Sequence, residues 1–166
     1  MTSRQIKSVN RTSRNWKTTA IDNIIRNIIT PSDKVLDFGA GKNAVQALRL
    51  QNEGYNVTAH DFGDNFNPVI HDKLALSRQY DIVYASNVIN VQPSFKTLNE
   101  TLLQMKSRTK KYGVLIVNYP KDPRVLKLST NDMEKVLLKI FPIVKRNNRT
   151  KNIIWFCLQS ESNRRF

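Results

Sequence analysis

With 166 residues the chain has the size of one domain round one core and leaves no room for a separate substrate domain. Hydrophobic residues at 40% and charged residues at 24% are ordinary for a globular chain in water; no apolar run reaches bilayer-spanning length, and the lone Cys157, within the apolar run 153–158, excludes a disulfide framework inside the chain and fits a reducing compartment, the cytoplasm. Twenty-seven Lys and Arg against 13 Asp and Glu give a formal charge of +14 and a pI near 10.2, a field that draws polyanions, nucleic acid first among them.

Residues 1–17 carry Arg4, Lys7, Arg11, Arg14 and Lys17 and no acid, with no apolar region behind them. That argues against a secretory signal and for a basic arm over 1–15; an organellar transit peptide has a similar composition, but its amphipathic apolar face is missing. A single domain is expected over 16–160, followed by a short polar tail at 161–166. Ile21, Ile24, Ile25, Ile28 and Ile29 have the spacing of one helix face, so a helix is expected over 18–29, stopped by Thr30-Pro31. Residues 34–38 read as a strand and 43–53 as a helix, with Ala44, Ala47 and Leu48 inward and Gly54 just past its end. A second strand over 55–60 ends at Asp61. Turn chemistry fills 61–68, with a very short strand expected at Val69-Ile70.

A strand at 82–85 leads into a helix near 94–108, marked by Phe95, Leu98, Leu102 and Met105, and another strand covers 114–118 after Gly113. Ser129 and Asp132 stand at capping-box spacing ahead of Met133, Val136, Leu137, Ile140 and Phe141, which predicts a further helix. Two last strands near 143–147 and 152–159 are joined too closely for anything but an antiparallel hairpin. The alternation is that of an α/β, Rossmann-like three-layer sandwich with a mostly parallel sheet and a C-terminal antiparallel pair, in which ligands sit beyond the carboxyl ends of the strands.

The stretch Lys34-Val35-Leu36-Asp37-Phe38-Gly39-Ala40-Gly41-Lys42-Asn43 organises the chain: a strand runs into two glycines, where the backbone turns sharply and lets a ligand come close. With Ala44 it fits G-x-G-x-x-G/A, and Asp61 follows Gly41 by 20 residues, where a carboxylate can bond a ribose diol. Dinucleotides and S-adenosylmethionine (SAM) both carry such a ribose. Asp37 separates them, because an acid there repels a pyrophosphate and suits a ligand bearing an ammonium and a sulfonium. A nicotinamide dehydrogenase therefore ranks below a SAM-binding protein. No metal is expected, since His60 and His71 lack a ligand set with metal spacing.

On Val35-Leu36-Asp37-Phe38-Gly39-Ala40-Gly41, with Asp61 after the second strand, the chain resembles the class I SAM-dependent methyltransferases. The resemblance implies that Asp37, Gly39 and Gly41 lie at the methionine part of the cofactor, that Asp61 holds the ribose and that Phe62 packs near the adenine. It also implies that Asp72 approaches the adenine amino group, that Lys17 and Thr18 reach the methionine carboxylate, and that Ser86 stands beside the sulfonium. Asn43 replaces the family's common third glycine and, as an asparagine, tolerates unusual backbone angles.

Ser86-Asn87-Val88-Ile89-Asn90-Val91-Gln92 follows a strand and so belongs to the reacting edge. Methyl transfer is an in-line displacement that needs an aligned, desolvated nucleophile, and Asn87 and Asn90 are expected to orient an amine or hydroxyl without acting as bases. The proline-rich motif of amino-methylating DNA enzymes is missing here, and Cys157 lies too far along the chain for a cytosine-C5 nucleophile. The run 84–91 is similar to small phage and bacterial methyltransferase-like chains.

Lys106, Arg108, Lys110 and Lys111 close a helix on the edge away from the cofactor and read as structural. Tyr119, Lys121, Arg124, Lys145, Arg146, Arg149 and Lys151 are expected round the cofactor mouth as a rim for an anionic substrate. The expectation is thus a SAM-dependent methyltransferase acting on nucleic acid or another anionic macromolecule, with no membrane partner. Its rivals are methylation of a small metabolite and a non-catalytic nucleic-acid-binding module with the same fold.

Overall fold

In the computed structural model, residues 20–120, 123, 125–147, 153–162 and 164 are described. Helix α1 (Ala20–Arg26) precedes strand β1 (Val35–Phe38), helix α2 (Val45–Asn52) and strand β2 (Val57–His60). After a segment of turns come β3 (Tyr80–Ala85), α3 (Phe95–Arg108), β4 (Thr109–Tyr119), α4 (Thr130–Ile140), β5 (Ile143–Asn147) and β6 (Ile153–Leu158). The six strands form one sheet in the order β2-β1-β3-β4-β6-β5, parallel through β4 and antiparallel at the β6 pairings.

Side chains alternate across these strands, so each strand feeds two cores. Leu36, Phe38, Val83, Leu115, Val117, Trp155 and Cys157 pack on one face against Leu98, Leu102 and Met105 of α3 and Met133 and Leu137 of α4. Val35, Ile82, Tyr84, Ile116 and Ile154 pack on the other against Ile21 and Ile25 of α1 and Ala47 and Leu50 of α2. Burial pushes the Cys157 thiol up, which leaves it an inert core residue.

The helices begin where local chemistry dictates. Ser129 Oγ accepts the Asp132 N–H at 3.1 Å, as its spacing predicts. Ser94 does the same for Thr97 at 3.2 Å, in a reciprocal box that uses Thr where Glu or Gln is usual. Leu48, expected inward, is exposed; the buried stripe of α2 runs through Ala47 and Leu50 instead.

Val69-Ile70 forms no strand. Asn67 captures the segment first: its side-chain Oδ1 accepts the Val69 N–H, and its carbonyl accepts those of Ile70 and His71, so a tight turn satisfies the donors a strand would have used. The outer edge of β2 is covered by other groups. Asp72 N–H bonds the Ala59 carbonyl at 3.0 Å, and Gln51 Nε2 bonds that of Val57 at 2.6 Å.

Three of the four basic residues expected to be structural at 106–111 are tied into the fold, while Lys111 is exposed over the Tyr112 ring. Lys106 donates to the Ile140 carbonyl and lies over the Phe141 ring, Arg108 donates to the Leu76 carbonyl, and Lys110 pairs with Asp81 at 2.8 Å. Among the described residues no helix is long and apolar enough to cross a membrane, and no group of three or more metal-ligating side chains occurs.

Candidate cofactor site

The carboxyl ends of β1, β2, β3 and β4 meet at the glycine loop. Gly39 and Gly41 adopt φ of 77° and 76°, in the region only glycine enters freely. Gly39 has a second reason to be glycine, since a Cβ there would stand 2.6 Å from Cγ2 of Val88. Both Gly39 N–H and Ala40 N–H donate to the His60 carbonyl, at 2.9 and 3.0 Å, which locks the loop to the end of β2. The left-handed position at the start of α2 falls on Ala44, with φ 41°, and not on the Asn43 that the sequence pointed to.

Asp61, 2% exposed, accepts the Gly41 N–H on Oδ2 at 2.5 Å and the Phe62 N–H on Oδ1 at 2.7 Å. Each oxygen keeps a further lone pair for a ribose hydroxyl. Phe62 lies against Phe38 and His60, with ring centroids 5.4 and 4.8 Å away.

Asp37 is 1% exposed and sits beside Tyr84 in the β1–β3 register. Burial pushes its carboxyl up to about 8. Desolvation, the largest effect, is reinforced by Asp61 and Asp22, whereas Tyr84 and the Ala47 N–H at the start of α2 favour the ion. Neither Asp37 Oδ2 nor the Tyr84 hydroxyl completes a hydrogen bond, so the pair interacts without satisfying either group. The buried Ser86 Oγ and Asn90 Oδ1 are also unpartnered at the neighbouring edge.

Asn87 adopts φ 59°, and its position is set by Asn118 at the end of β4. Asn87 N–H donates to Asn118 Oδ1 at 2.6 Å, and Asn118 Nδ2 donates back to Asn87 Oδ1 at 2.9 Å. Its side-chain oxygen is thus engaged inside the protein, and Asn90 is the one of the expected pair with an unpartnered Oδ1. Asn118 was not anticipated as a site residue. Its signal was there, a fully buried amide closing the apolar run Val114–Val117.

No protein-family model and no curated protein matches the sequence. Solved structures do. A TehB-like SAM-dependent methyltransferase of Corynebacterium glutamicum superposes with a TM-score of 0.63, at 12% identity over 84% of this chain and 86% of that one. The magnesium protoporphyrin IX methyltransferase of Synechocystis, solved with SAM bound, gives 0.59 at 16% identity over 93% and 79%. TehB of Haemophilus influenzae gives 0.60 at 20% identity over 92% and 67%. The chain has the class I methyltransferase fold.

Within this methyltransferase fold the structure gives several expected site residues other work. Asp72 accepts the Leu74 N–H at 2.7 Å and pairs with Arg78, so its carboxylate is engaged in its own turn. Tyr119, expected to face a substrate, is 1% exposed; its hydroxyl donates to the Leu126 carbonyl and accepts the Leu128 N–H, which fastens the connection after β4. Arg146 lies 3.9 Å from Glu134, and Lys145 is exposed beside it on β5, whose end points to the cofactor edge. Lys17, Thr18, Lys121, Arg124, Arg149 and Lys151 fall outside the described residues.

Proposed function

We propose that the chain is a SAM-dependent methyltransferase whose acceptor is nucleic acid or another anionic macromolecule. The carrying observation is Asp37: a carboxyl oxygen that completes no hydrogen bond, buried beside the glycine loop and pushed up to about 8 by desolvation, is suited to a cationic ligand. The unpartnered Ser86 Oγ and Asn90 Oδ1 and the close backbone approach at Gly39 fit the same ligand.

When bound, SAM supplies an electrophilic methyl group on a sulfonium. In the proposed assignment Asp37 faces its positive charge, Asp61 accepts from the ribose hydroxyls and Phe62 packs on the base. Asn90 Oδ1 would accept a hydrogen bond from the acceptor amine or hydroxyl and so orient it, while the Asn87–Asn118 pair keeps that edge in shape. No acid or base stands at 86–92, so the acceptor proton leaves to solvent or to the acceptor's own groups. A net charge of +14, with Lys145 on the hairpin edge, supports an anionic acceptor.

Incubation with methyl-labelled SAM and separate DNA, RNA, protein and metabolite fractions tests the reading. Label is expected in nucleic acid; label in metabolites alone would transfer the activity to a small acceptor, and label in none would remove the enzyme. The engaged Asn87 amide and the lack of a base at 86–92 favour, in that last case, a non-catalytic binding module.

A further inference from the structure

His71 ends the turn that replaces the expected strand at 69–70, and it is 4% exposed. Its Nδ1 accepts the Asn67 backbone N–H at 2.8 Å, and its Nε2 lies 3.0 Å from the Gly41 carbonyl. A backbone N–H only donates, so Nδ1 is bare; the single proton of the neutral ring is then on Nε2 and is given to Gly41. The same carbonyl closes the turn by accepting the Ala44 N–H at 3.0 Å.

Gly41 is therefore held from both sides. Asp61 takes its N–H and His71 its carbonyl, one side chain from each end of the 61–71 connection, at a residue whose φ of 76° leaves it free to move if released. The Phe66 ring packs beside the imidazole, with ring centroids 5.8 Å apart.

We propose that His71 is a positioning residue of the methyl-donor loop: its Nε2–H fixes the Gly41 carbonyl while Asp61 fixes the Gly41 amide, and the loop holds its cofactor-binding shape only with both in place. This rests on the reading of 39–44 as the cofactor loop.

SAM affinity of wild type, His71→Gln and His71→Ala is measured by calorimetry at one pH. His71→Ala is expected to be about tenfold weaker than wild type, the worth of one hydrogen bond, and His71→Gln, which keeps a donor, to recover most of that loss. His71→Ala as tight as wild type, or His71→Gln as weak as His71→Ala, would overturn the proposal. In the ligand-free protein the Gly41 amide resonance is expected to shift in His71→Ala and to return toward its wild-type position in His71→Gln. If it does so but SAM never binds the wild type, the clamp stands and the cofactor reading falls; if SAM binds and the resonance is the same in all three, the clamp falls.

Discussion

Asp37 holds a proton at a pH where an ordinary aspartate has lost it. A folded pKa of about 8, far above the unfolded value, means that the folded chain binds this proton more tightly than the unfolded one. The resulting stability is fully present below the usual aspartate range and is lost as pH rises through about 8. Thermal melts of the ligand-free chain should therefore show Tm falling over that interval, and Asp37→Asn, which is neutral throughout, should flatten this part of the profile. Cofactor binding has the opposite sign. A cation favours the carboxylate, so SAM affinity should climb toward pH 8 with release of a proton, more for SAM than for S-adenosylhomocysteine, and Asp37→Asn should abolish the climb. Two asparagines separate stability from chemistry at the next strand. Asn118→Leu removes both bonds to Asn87 and should cost about 1–3 kcal/mol in urea unfolding. Asn90→Ala should stay within about 0.5 kcal/mol while turnover falls. Asp37 and Asp61 were legible because a strand, two glycines and an acid 20 residues after Gly41 form a local pattern. Asn118 and His71 were not, since each matters through a partner 30 or 31 residues away in sequence.

At the level of elements, the strands and helices follow apolar periodicity closely, and the departures share a cause. Where a side chain satisfies the backbone before a strand can, the strand is lost, as Asn67 does at 69–70. Where a helix passes directly into a strand, polar residues hide the strand. The expected 114–118 became Thr109–Tyr119 because Thr109 Oγ1 ends α3 by bonding the Met105 carbonyl, and the Lys-rich residues after it join the sheet at once. The start of α2 carries the clearest local strain. Ala44 holds a left-handed conformation that disfavours a Cβ, so Ala44→Gly should raise stability by about 1 kcal/mol, read as a higher urea midpoint with unchanged slope.

Among the described residues, two basic groups sit in different places on the molecule. Lys106, Arg108 and Lys110 are tied to carbonyls or to Asp81 and hold the far end of the sheet together. On the hairpin side Lys145 and Arg146 are exposed on β5, and the proposed anionic acceptor would meet them there. Nucleic-acid binding measured by fluorescence anisotropy should weaken linearly with log salt, with a slope of about −0.9 per duplex phosphate contact. No binding at low salt would remove this acceptor class. Neutralising Lys145 should lower the slope without changing sequence preference.

The contact between Gly39 and Val88 bears on how such a molecule moves. Val88 is braced from behind, its carbonyl held by Gln92, which in turn accepts from Thr101 of α3. The glycine loop and the 86–92 edge thus meet at Gly39 and Val88, where an added methyl group would force Val88 to shift. Gly39→Ala should therefore disturb more than cofactor affinity: by pushing Val88 it turns Asn87 and Asn90 as well, so that turnover falls further than SAM binding does.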